Sequence, residues 1–306
     1  MTSYPRSGDL ALVPLEFEAT ERGVTARFKL EMNLCRPDGG LFGGTAIAAS
    51  TTCMEVATNA PAVWITTQYV ATARVGSVVT LDTAVVARGK RINQVHVTGH
   101  VDGELMFTSI GSTALPREGG LEGQFLEMPT VDGPSGADDF FPGPPSMRKA
   151  MSFNRVAEFR AVELLEDEKR TKGSFVLWAR IPGHVASPAI MGYLADMSPT
   201  AVARGAGKMG GGTSLDNSMR FGPDATDEWV LMEMHGHLAV GGYGHSSIHM
   251  WSPDGVLLGY GGQTSNIRHI FDEANMEQAM KEMRERMGLD ADGEPLPAAE
   301  GEIPPE

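Results

Sequence analysis

Cysteine and long hydrophobic runs are nearly absent from this sequence. Its 306 residues include two cysteines, Cys35 and Cys53, and neither is part of a CxxC pair. We therefore expect neither a disulfide framework nor a thiolate metal site, as in proteins of a reducing compartment. No uncharged apolar run reaches the roughly 18 residues that a membrane helix needs, and residues 1–10 lack the apolar segment of a signal peptide. The sequence therefore favours a cytoplasmic protein that does not enter a membrane.

Dense basic runs are missing as well. The net charge is −14 with a pI near 5.0, and the lysines and arginines are scattered along the chain. This charge balance argues against nucleic acid or an anionic membrane as the main partner. The hydrophobic content of 42% supports one large core or two ordinary ones, and the length favours two domains.

Two enzyme motifs are absent or out of place. The sequence contains no G-x-S-x-G, so a serine-hydrolase elbow is not supported. Residues 205–210 match G-x-G-x-x-G, but they follow a predicted helix and precede a predicted strand. A dinucleotide site has the reverse order, so we interpret this segment as a flexible loop.

Several histidines fall on predicted strands. His235 and His237 share a strand face with Glu233, and His245 and His249 share a face of the next strand. A metal site there is conceivable. Strand histidines that face water or an interface are ordinary, however, and the sequence predicts no metal ligand and no cofactor.

One structural pattern occurs twice along the chain. In the first half a predicted hairpin (15–20 and 24–30) precedes a small-residue helix, Ala46–Thr58, whose only ionisable residue is Glu55. Strand-like runs follow at 64–72, 78–87, 91–101 and 104–113. This order predicts one buried helix wrapped by a curved antiparallel sheet.

The same order returns after residues 116–150, which are rich in Gly, Pro and acidic residues. The second set comprises strands at 153–164 and 172–181, a small helix around Asp196, and strands at 213–221, 228–240, 243–251 and 256–267. Asp-Gly turns close the same hairpin in both halves, 152 positions apart (102 and 254). We therefore predict an α+β protein with two copies of one fold: an N-terminal repeat at 7–116, a linker at 117–150, a C-terminal repeat at 151–270, and a helix with a disordered tail at 271–306.

Asp196 is the single carboxylate in the small, apolar run 191–199. A carboxylate among Leu, Ala and Met is costly to bury unless something nearby uses it, and burial raises its pKa towards the range of a general base. Taken alone, this residue is more typical of a solvated Asp near a helix end.

Short motifs in both halves connect the chain to a known family. They are LFGG (41–44), TTQYV (66–70) and DG (102–103) in the first half, and YLAD (193–196), TSLDNSMRF (213–221), EWVL (228–231), SPDGVLL (252–258) and QTSNIR (263–268) in the second. In this order and spacing they resemble the double-hotdog acyl-CoA thioesterases of the acyl-CoA thioesterase II type, over nearly the whole chain up to about residue 270. The resemblance implies a tandem hotdog, in which a curved antiparallel sheet wraps each central helix.

The resemblance also implies a catalytic set in the C-terminal repeat. Matched by position, Asp196 is the base that activates a hydrolytic water, and Ser214 and Gln263 orient that water. The hydroxyl position is a Thr in the best-known members and Ser214 here, so the neighbouring Thr213 is an alternative. The first repeat lacks the set, since Gly111 stands where the second repeat has Gln263. Glu55 as a second base remains an alternative.

The expected function is hydrolysis of fatty acyl-CoA to a free acid and coenzyme A, in fatty acid metabolism. We assign substrate binding to Arg88, Lys90 and Arg91, which could meet the coenzyme A phosphates, and to Thr213. A solvated turn is the commoner meaning of such a basic cluster. The alternative is a non-catalytic hotdog protein that binds acyl thioesters. A hotdog hydratase is disfavoured because its D-x-N-P-x-H pattern is absent. Sheet edges of hotdogs usually pair, so we expect a homodimer of double hotdogs.

Overall fold

The structure is a computed structural model that describes residues 4–136, 139, 155–162, 164, 173–271 and positions 278, 281, 282 and 285. Its helices are α1 (Ser7–Leu12), α2 (Gly43–Thr58), α3 (Pro188–Ala195) and α4 (Pro199–Gly205). Its strands are β1 (Glu16–Thr20), β2 (Gly23–Lys29), β3 (Ala62–Tyr69), β4 (Val78–Arg88), β5 (Ile92–Val101), β6 (Glu104–Ala114), β7 (Glu158–Ala161), β8 (Ser174–Arg180), β9 (Met209–Phe221), β10 (Val230–Val240), β11 (Tyr243–Trp251) and β12 (Leu257–Phe271). None of the described helices is long and apolar enough to cross a membrane.

The twelve strands of the described residues belong to one sheet, in the order β1-β2-β4-β5-β6-β3-β9-β12-β11-β10-β8-β7. The order is symmetric. Counted inwards from the two edges, the first half has β1, β2, β4, β5, β6 and β3, and the second half has their counterparts β7, β8, β10, β11, β12 and β9. The halves join where β3 pairs with β9, from Trp64 opposite Arg220 to Gln68 opposite Asp216. The predicted α+β class with two copies of a helix-and-sheet unit is confirmed.

Helix α2 is the buried centre of the first half. It begins at Gly43, three residues before the predicted start, and ends where Asn59 takes the left-handed conformation (φ 51°), which Asn tolerates. Its buried hydroxyl groups find acceptors within the helix, since Thr51 donates to the Ile47 carbonyl at 2.7 Å and Thr52 to the Ala48 carbonyl at 3.1 Å.

The second half does not contain the single small helix that we predicted around Asp196. Helix α3 ends at Ala195, α4 begins at Pro199, and Asp196 lies in the turn between them. A proline has no N–H to donate and is favoured in the first turn of a helix, so Pro199 starts a new helix. Asp196 therefore belongs to neither helix, and its side chain points towards the N-terminus of α2.

Most strand boundaries lie within a few residues of the prediction. Strand β7 (Glu158–Ala161) is shorter than the predicted run 153–164, part of which falls outside the described residues. Helix α1 was not predicted. The predicted C-terminal helix and the tail at 288–306 lie almost wholly outside the described residues.

The outer face of the second half carries its own apolar cluster of Val176, Trp178, Leu231 and Trp251. Part of the predicted linker covers it: Met128 and Val131 pack against the cluster, and the Trp178 indole donates to the Asp132 carbonyl at 2.8 Å. This stretch of the linker is therefore packed against the sheet. The limits of the repeats themselves stay a prediction.

Candidate active site

The carboxylate of Asp196 is the centre of a hydrogen-bond network at the junction of the two halves. Asp196 is 8% exposed. Its Oδ2 accepts from the Gly44 backbone N–H at 2.9 Å, and its Oδ1 accepts from Ser214 Oγ at 3.0 Å, Gln263 Nε2 at 2.7 Å and Asn217 Nδ2 at 3.5 Å. The structure thus brings the three predicted catalytic residues together.

Burial and hydrogen bonding oppose each other at Asp196. Burial raises its pKa, and the bonds from Ser214, Gln263 and Gly44 partly counter that rise, so that the pKa settles at about 6. A carboxylate with this pKa is ionised at neutral pH and is still a stronger base than a solvated Asp. These are the properties of a general base.

Buried serines fix the orientation of the Gln263 amide. Ser198 Oγ donates to Gln263 Oε1 at 2.8 Å, and Ser246 Oγ donates to Ser198 Oγ at 3.1 Å. Because the amide oxygen is held by a donor, the amide nitrogen faces Asp196 and Ser214. The network therefore presents N–H and O–H donors to the carboxylate from one side.

A bulge in β9 explains how Ser214 reaches the site. Ser214 pairs with Ser265 and Asp216 pairs with Thr264, so Leu215 is an extra residue in the strand. The bulge changes the alternation, and the Ser214 side chain then turns to the same face as Asn217. Ser214 is the residue that hydrogen-bonds to Asp196, whereas Thr213 lines the adjacent cavity.

The N-terminus of α2 faces Asp196. A Cβ on Gly43 would lie 2.7 Å from Asp196 Oδ2, and one on Gly44 would lie 2.4 Å from the Tyr193 carbonyl oxygen. Both positions therefore require glycine. The first N–H groups of a helix lack partners within the helix and carry its positive end, so this terminus favours negative charge. The Tyr69 hydroxyl donates to the Gly43 carbonyl at 2.9 Å and holds this turn.

A cavity of about 70 Å³ opens beside the carboxylate and is large enough for water. Its lining combines the polar site with apolar side chains: Arg36, Leu41, Phe42, Gly43, Tyr69, Ala71, Thr72, Met106, Phe107, Asp196, Gly212, Thr213 and Ser214. A larger open groove, of about 450 Å³, is lined by Val63, Trp64, Arg220, Phe221 and Tyr260 and includes none of these residues. We place the site in the smaller cavity because only this one contains the converging polar groups.

The basic residues predicted to bind substrate lie elsewhere. Arg88 donates to the Ala57 carbonyl at 3.1 Å, at the C-terminal end of α2, and Arg91 donates to the Pro116 carbonyl at 2.8 Å. The rise of α2 between Gly43 and Ala57 is about 20 Å, so the cluster of Arg88, Lys90 and Arg91 is far from the base. Its role in binding stays a prediction.

Glu55 also lies near the far end of α2. Its carboxylate pairs with Arg6 Nη1 at 2.6 Å and accepts from the Ala62 N–H at 2.9 Å. These contacts engage both oxygens in structure. They give no support to Glu55 as a second base.

Several members of the network were not predicted from the sequence. Gly44, Asn217 and the buried Ser198 and Ser246 were not assigned a role, nor was Tyr69. The resemblance contained a signal for Gly44, Asn217 and Tyr69, since they lie in the LFGG, TSLDNSMRF and TTQYV motifs. The two serines lie 65 and 48 positions from their partners, which no local pattern indicates.

The first repeat has no corresponding site in the described residues. A Cβ on Gly111 would lie 2.3 Å from the Trp64 carbonyl oxygen and 2.5 Å from Met54 Cε, so no glutamine fits there. Gly44 and Asp196 are 152 residues apart, the same offset that separates the two Asp-Gly turns, so they are counterparts in the two halves. The Gly44 backbone N–H donates to the Asp196 carboxylate. The two halves therefore contribute different chemistry to one site.

Comparison with solved structures places this architecture among tandem hotdog proteins. A protein described as a thioesterase from Novosphingobium aromaticivorans is 25% identical, with a TM-score of 0.73 over 83% of this chain and 98% of that one. A protein described as thioesterase II from Thermobifida fusca is 13% identical, with a TM-score of 0.72 over 86% and 100%. An acyl-CoA thioesterase II from Mycobacterium marinum is 18% identical, with a TM-score of 0.64 over 83% and 96%.

The sequence also matches a family. Residues 127–267 match the acyl-CoA thioesterase C-terminal domain, a range that contains Asp196, Ser214 and Gln263. No curated protein matches the sequence. The C-terminal half of the chain is therefore similar to the acyl-CoA thioesterase C-terminal domain, and the whole chain has the fold of these solved proteins, in agreement with the resemblance that the motifs indicated.

Proposed function

We propose that this protein hydrolyses fatty acyl-CoA to a free acid and coenzyme A. The observation that carries the proposal is the buried Asp196 carboxylate beside a water-sized cavity, surrounded by the donors of Ser214, Gln263 and Gly44. The C-terminal domain match and the thioesterase names of the structural neighbours support the same reaction.

In the proposed mechanism, water in the cavity is held by the Asp196 carboxylate and the Ser214 hydroxyl, and Gln263 orients the water through these two groups, since its amide donates to both. Asp196 takes a proton from this water as its oxygen attacks the thioester carbonyl carbon. The developing oxyanion is stabilised by backbone N–H at the start of α2, where the helix end is positive, and Gly43 lines the cavity at that point. The C–S bond then breaks, and the protonated Asp196 returns its proton to the leaving thiolate.

The cavity lining supports an acyl substrate. Leu41, Phe42, Met106 and Phe107 give the cavity an apolar wall against which a hydrocarbon chain can pack. Arg36 is the cation of this lining and is a second candidate for the coenzyme A phosphates, beside the cluster predicted at Arg88, Lys90 and Arg91. Arg36→Ala and Arg88→Ala distinguish these two candidates. The substitution that removes a phosphate contact should raise KM for acyl-CoA, and the other should not.

The first experiment compares the wild type with Asp196→Asn in a thiol-release assay on short, medium and long acyl-CoAs. We expect Asp196→Asn to lose at least 100-fold in kcat, because the amide cannot accept the proton of water. Asp216→Asn is the matched control: Asp216 is on the same strand as Ser214 and bonds to the Thr264 N–H at 2.8 Å, outside the network. Thermal melting checks that each variant is folded.

The alternative is a protein that binds acyl thioesters without hydrolysing them. A buried carboxylate with a purely structural role also needs several hydrogen bonds, as Asp196 has, and this observation supports the alternative. If the wild type binds acyl-CoA but releases no thiol from any chain length, the binding protein replaces the hydrolase.

A further inference from the structure

A second cluster of polar side chains lies on the outer face of the C-terminal half. Glu233 and His235 alternate along β10, and His249 stands opposite Glu233 on β11. His235 Nε2 is 3.0 Å from Glu233 Oε1, and His249 Nδ1 is 3.5 Å from Glu233 Oε2. One ligand atom from each residue lies within 4.8 Å of the other two. Two imidazoles and a carboxylate therefore converge on one point.

This cluster is separate from the thioester site. Met232, Met234, Ile248 and Met250, which alternate with its members, belong to the core that contains the helices, so the cluster faces the other way. Its neighbour Trp251 belongs to the outer apolar cluster. No step of the proposed hydrolysis uses these residues.

The spacing suits a tetrahedral metal ion. Ligand atoms about 2.0–2.1 Å from a zinc ion are about 3.3–3.4 Å apart in tetrahedral geometry. Each imidazole nitrogen is near this distance from one oxygen of Glu233, His235 from Oε1 at 3.0 Å and His249 from Oε2 at 3.5 Å, so the carboxylate lies between the two rings. His249 Nδ1 supports this interpretation because it is buried and makes no hydrogen bond. A buried ring nitrogen that is aimed at a carboxylate and lacks a hydrogen bond is suited to a cation between the two groups.

Neighbouring side chains orient the ligands. The other nitrogen of His235, Nδ1, lies 3.1 Å from Ser174 Oγ, and the Trp251 indole donates to Glu233 Oε2 at 3.0 Å. Partners of this kind fix the ring and the carboxylate in metal sites.

We propose that Glu233, His235 and His249 bind one divalent transition metal ion, with zinc as the preferred ion. Two ring nitrogens and one carboxylate oxygen match the ligands that zinc takes, whereas magnesium and calcium require mainly oxygen. The imidazoles keep part of their surface exposed, with His249 26% accessible, so a fourth ligand comes from solvent. The site joins β10 to β11 at the edge of the outer apolar cluster.

The test uses the full chain, without a polyhistidine tag and stripped of metal with a chelator. Zinc titration by calorimetry should show one site per chain, and cobalt should give the visible absorption of a low-coordinate nitrogen and oxygen site. His235→Gln and His249→Gln should each weaken zinc binding at least tenfold. His96→Gln is the matched control: His96 is a strand histidine of the first half that bonds to Thr108 at 2.7 Å. Asp196→Asn should bind zinc as the wild type does, which separates this proposal from the thioesterase.

Three results would overturn the proposal. These are no zinc binding at 100 µM protein, equal binding by the wild type and both histidine variants, or an equal loss in His96→Gln. Any of them would mean that the cluster is a hydrogen-bonded Glu–His pair only. Circular dichroism identifies a variant that fails to fold, and Glu233→Gln then provides an independent ligand deletion with the same expected loss.

Discussion

At the scale of single residues, the site depends on how the anion of Asp196 is stabilised. Burial favours the neutral acid, while the bonds from Ser214, Gln263, Gly44 and Asn217 favour the anion, and the balance leaves a pKa of about 6. Ser214 has two roles in this balance, since it donates to Asp196 and accepts from Gln263. Its hydroxyl therefore contacts both the proposed base and the amide that bonds to this base.

Removal of that hydroxyl should change the pH dependence of hydrolysis. In the wild type, kcat/KM should fall as the pH drops through about 6, because only ionised Asp196 accepts a proton. Ser214→Ala removes a bond that favours the anion, so the midpoint should move upward and kcat should fall roughly 100-fold. Ser214→Thr keeps the hydroxyl and should keep both values near the wild type. An unchanged midpoint in the folded alanine variant would show that Ser214 does not tune the base.

At the scale of elements, buried charges attach the short helix α1 to the core. Arg6, which caps α1, pairs with Glu55 of α2, and Asp9 accepts a hydrogen bond from Ser187, which caps α3. Burial raises the pKa of Glu55 to about 7, against the opposing effects of Arg6 and the Ala62 N–H. One six-residue helix thus joins α2 of the first half to α3 of the second.

Arg6→Met should therefore destabilise the protein strongly and in a pH-dependent way. Removal of one partner of a buried ion pair costs about 3–5 kcal/mol because the other charge is left unpaired. Glu55 binds its proton more tightly when folded than when unfolded, so its contribution to stability is present below pH 4.5 and is lost as the pH rises towards 7. Without Arg6, ionisation of the buried Glu55 costs more, because the opposite charge is missing. The free energy of unfolding of the variant should therefore decrease more at pH 8 than at pH 5.

Urea unfolding at both pH values measures this effect. Arg27→Met is the control, since Arg27 forms an exposed pair with Glu16 at 2.8 Å and surface pairs contribute little. A loss that is equal at pH 5 and pH 8 would mean that Arg6 acts through packing and not through the charge of Glu55.

The elements also show what the sequence could predict. Strand β11 lies at its predicted limits, and α2 was found within three residues, because alternation and small-residue content are local signals. Helix α1 was missed because tertiary charges hold it and six residues give little periodicity. Ser214 could be chosen over Thr213 only in the structure, since the bulge at Leu215 depends on pairing with β12. The resemblance supplied the proposed catalytic residues, but no pattern in the sequence indicated the bonds of Ser198 and Ser246.

At the scale of the whole molecule, the two halves form one sheet and one site. Strands β3 and β9 join them along the sheet, and the Gly44 N–H of one half bonds to the Asp196 carboxylate of the other. The linker between the halves has an exposed part and a part that is bonded to the second half. Residues near Gly119 are exposed, whereas Gln124 donates to the Gly255 carbonyl at 3.0 Å and accepts from the Leu257 N–H at 2.7 Å.

This arrangement predicts that the covalent link between the halves is dispensable once the protein is folded. A protease site inserted between Gly119 and Gly120 lies where the chain is exposed and makes few contacts. After cleavage, the two fragments should elute together in gel filtration, unfold in one transition and keep the thioesterase activity of the uncut insertion variant, because the β3–β9 pairing and the buried contacts of α1 and α2 hold them. Fragments that separate without denaturant would show that the linker, and not the shared sheet, keeps Gly44 beside Asp196.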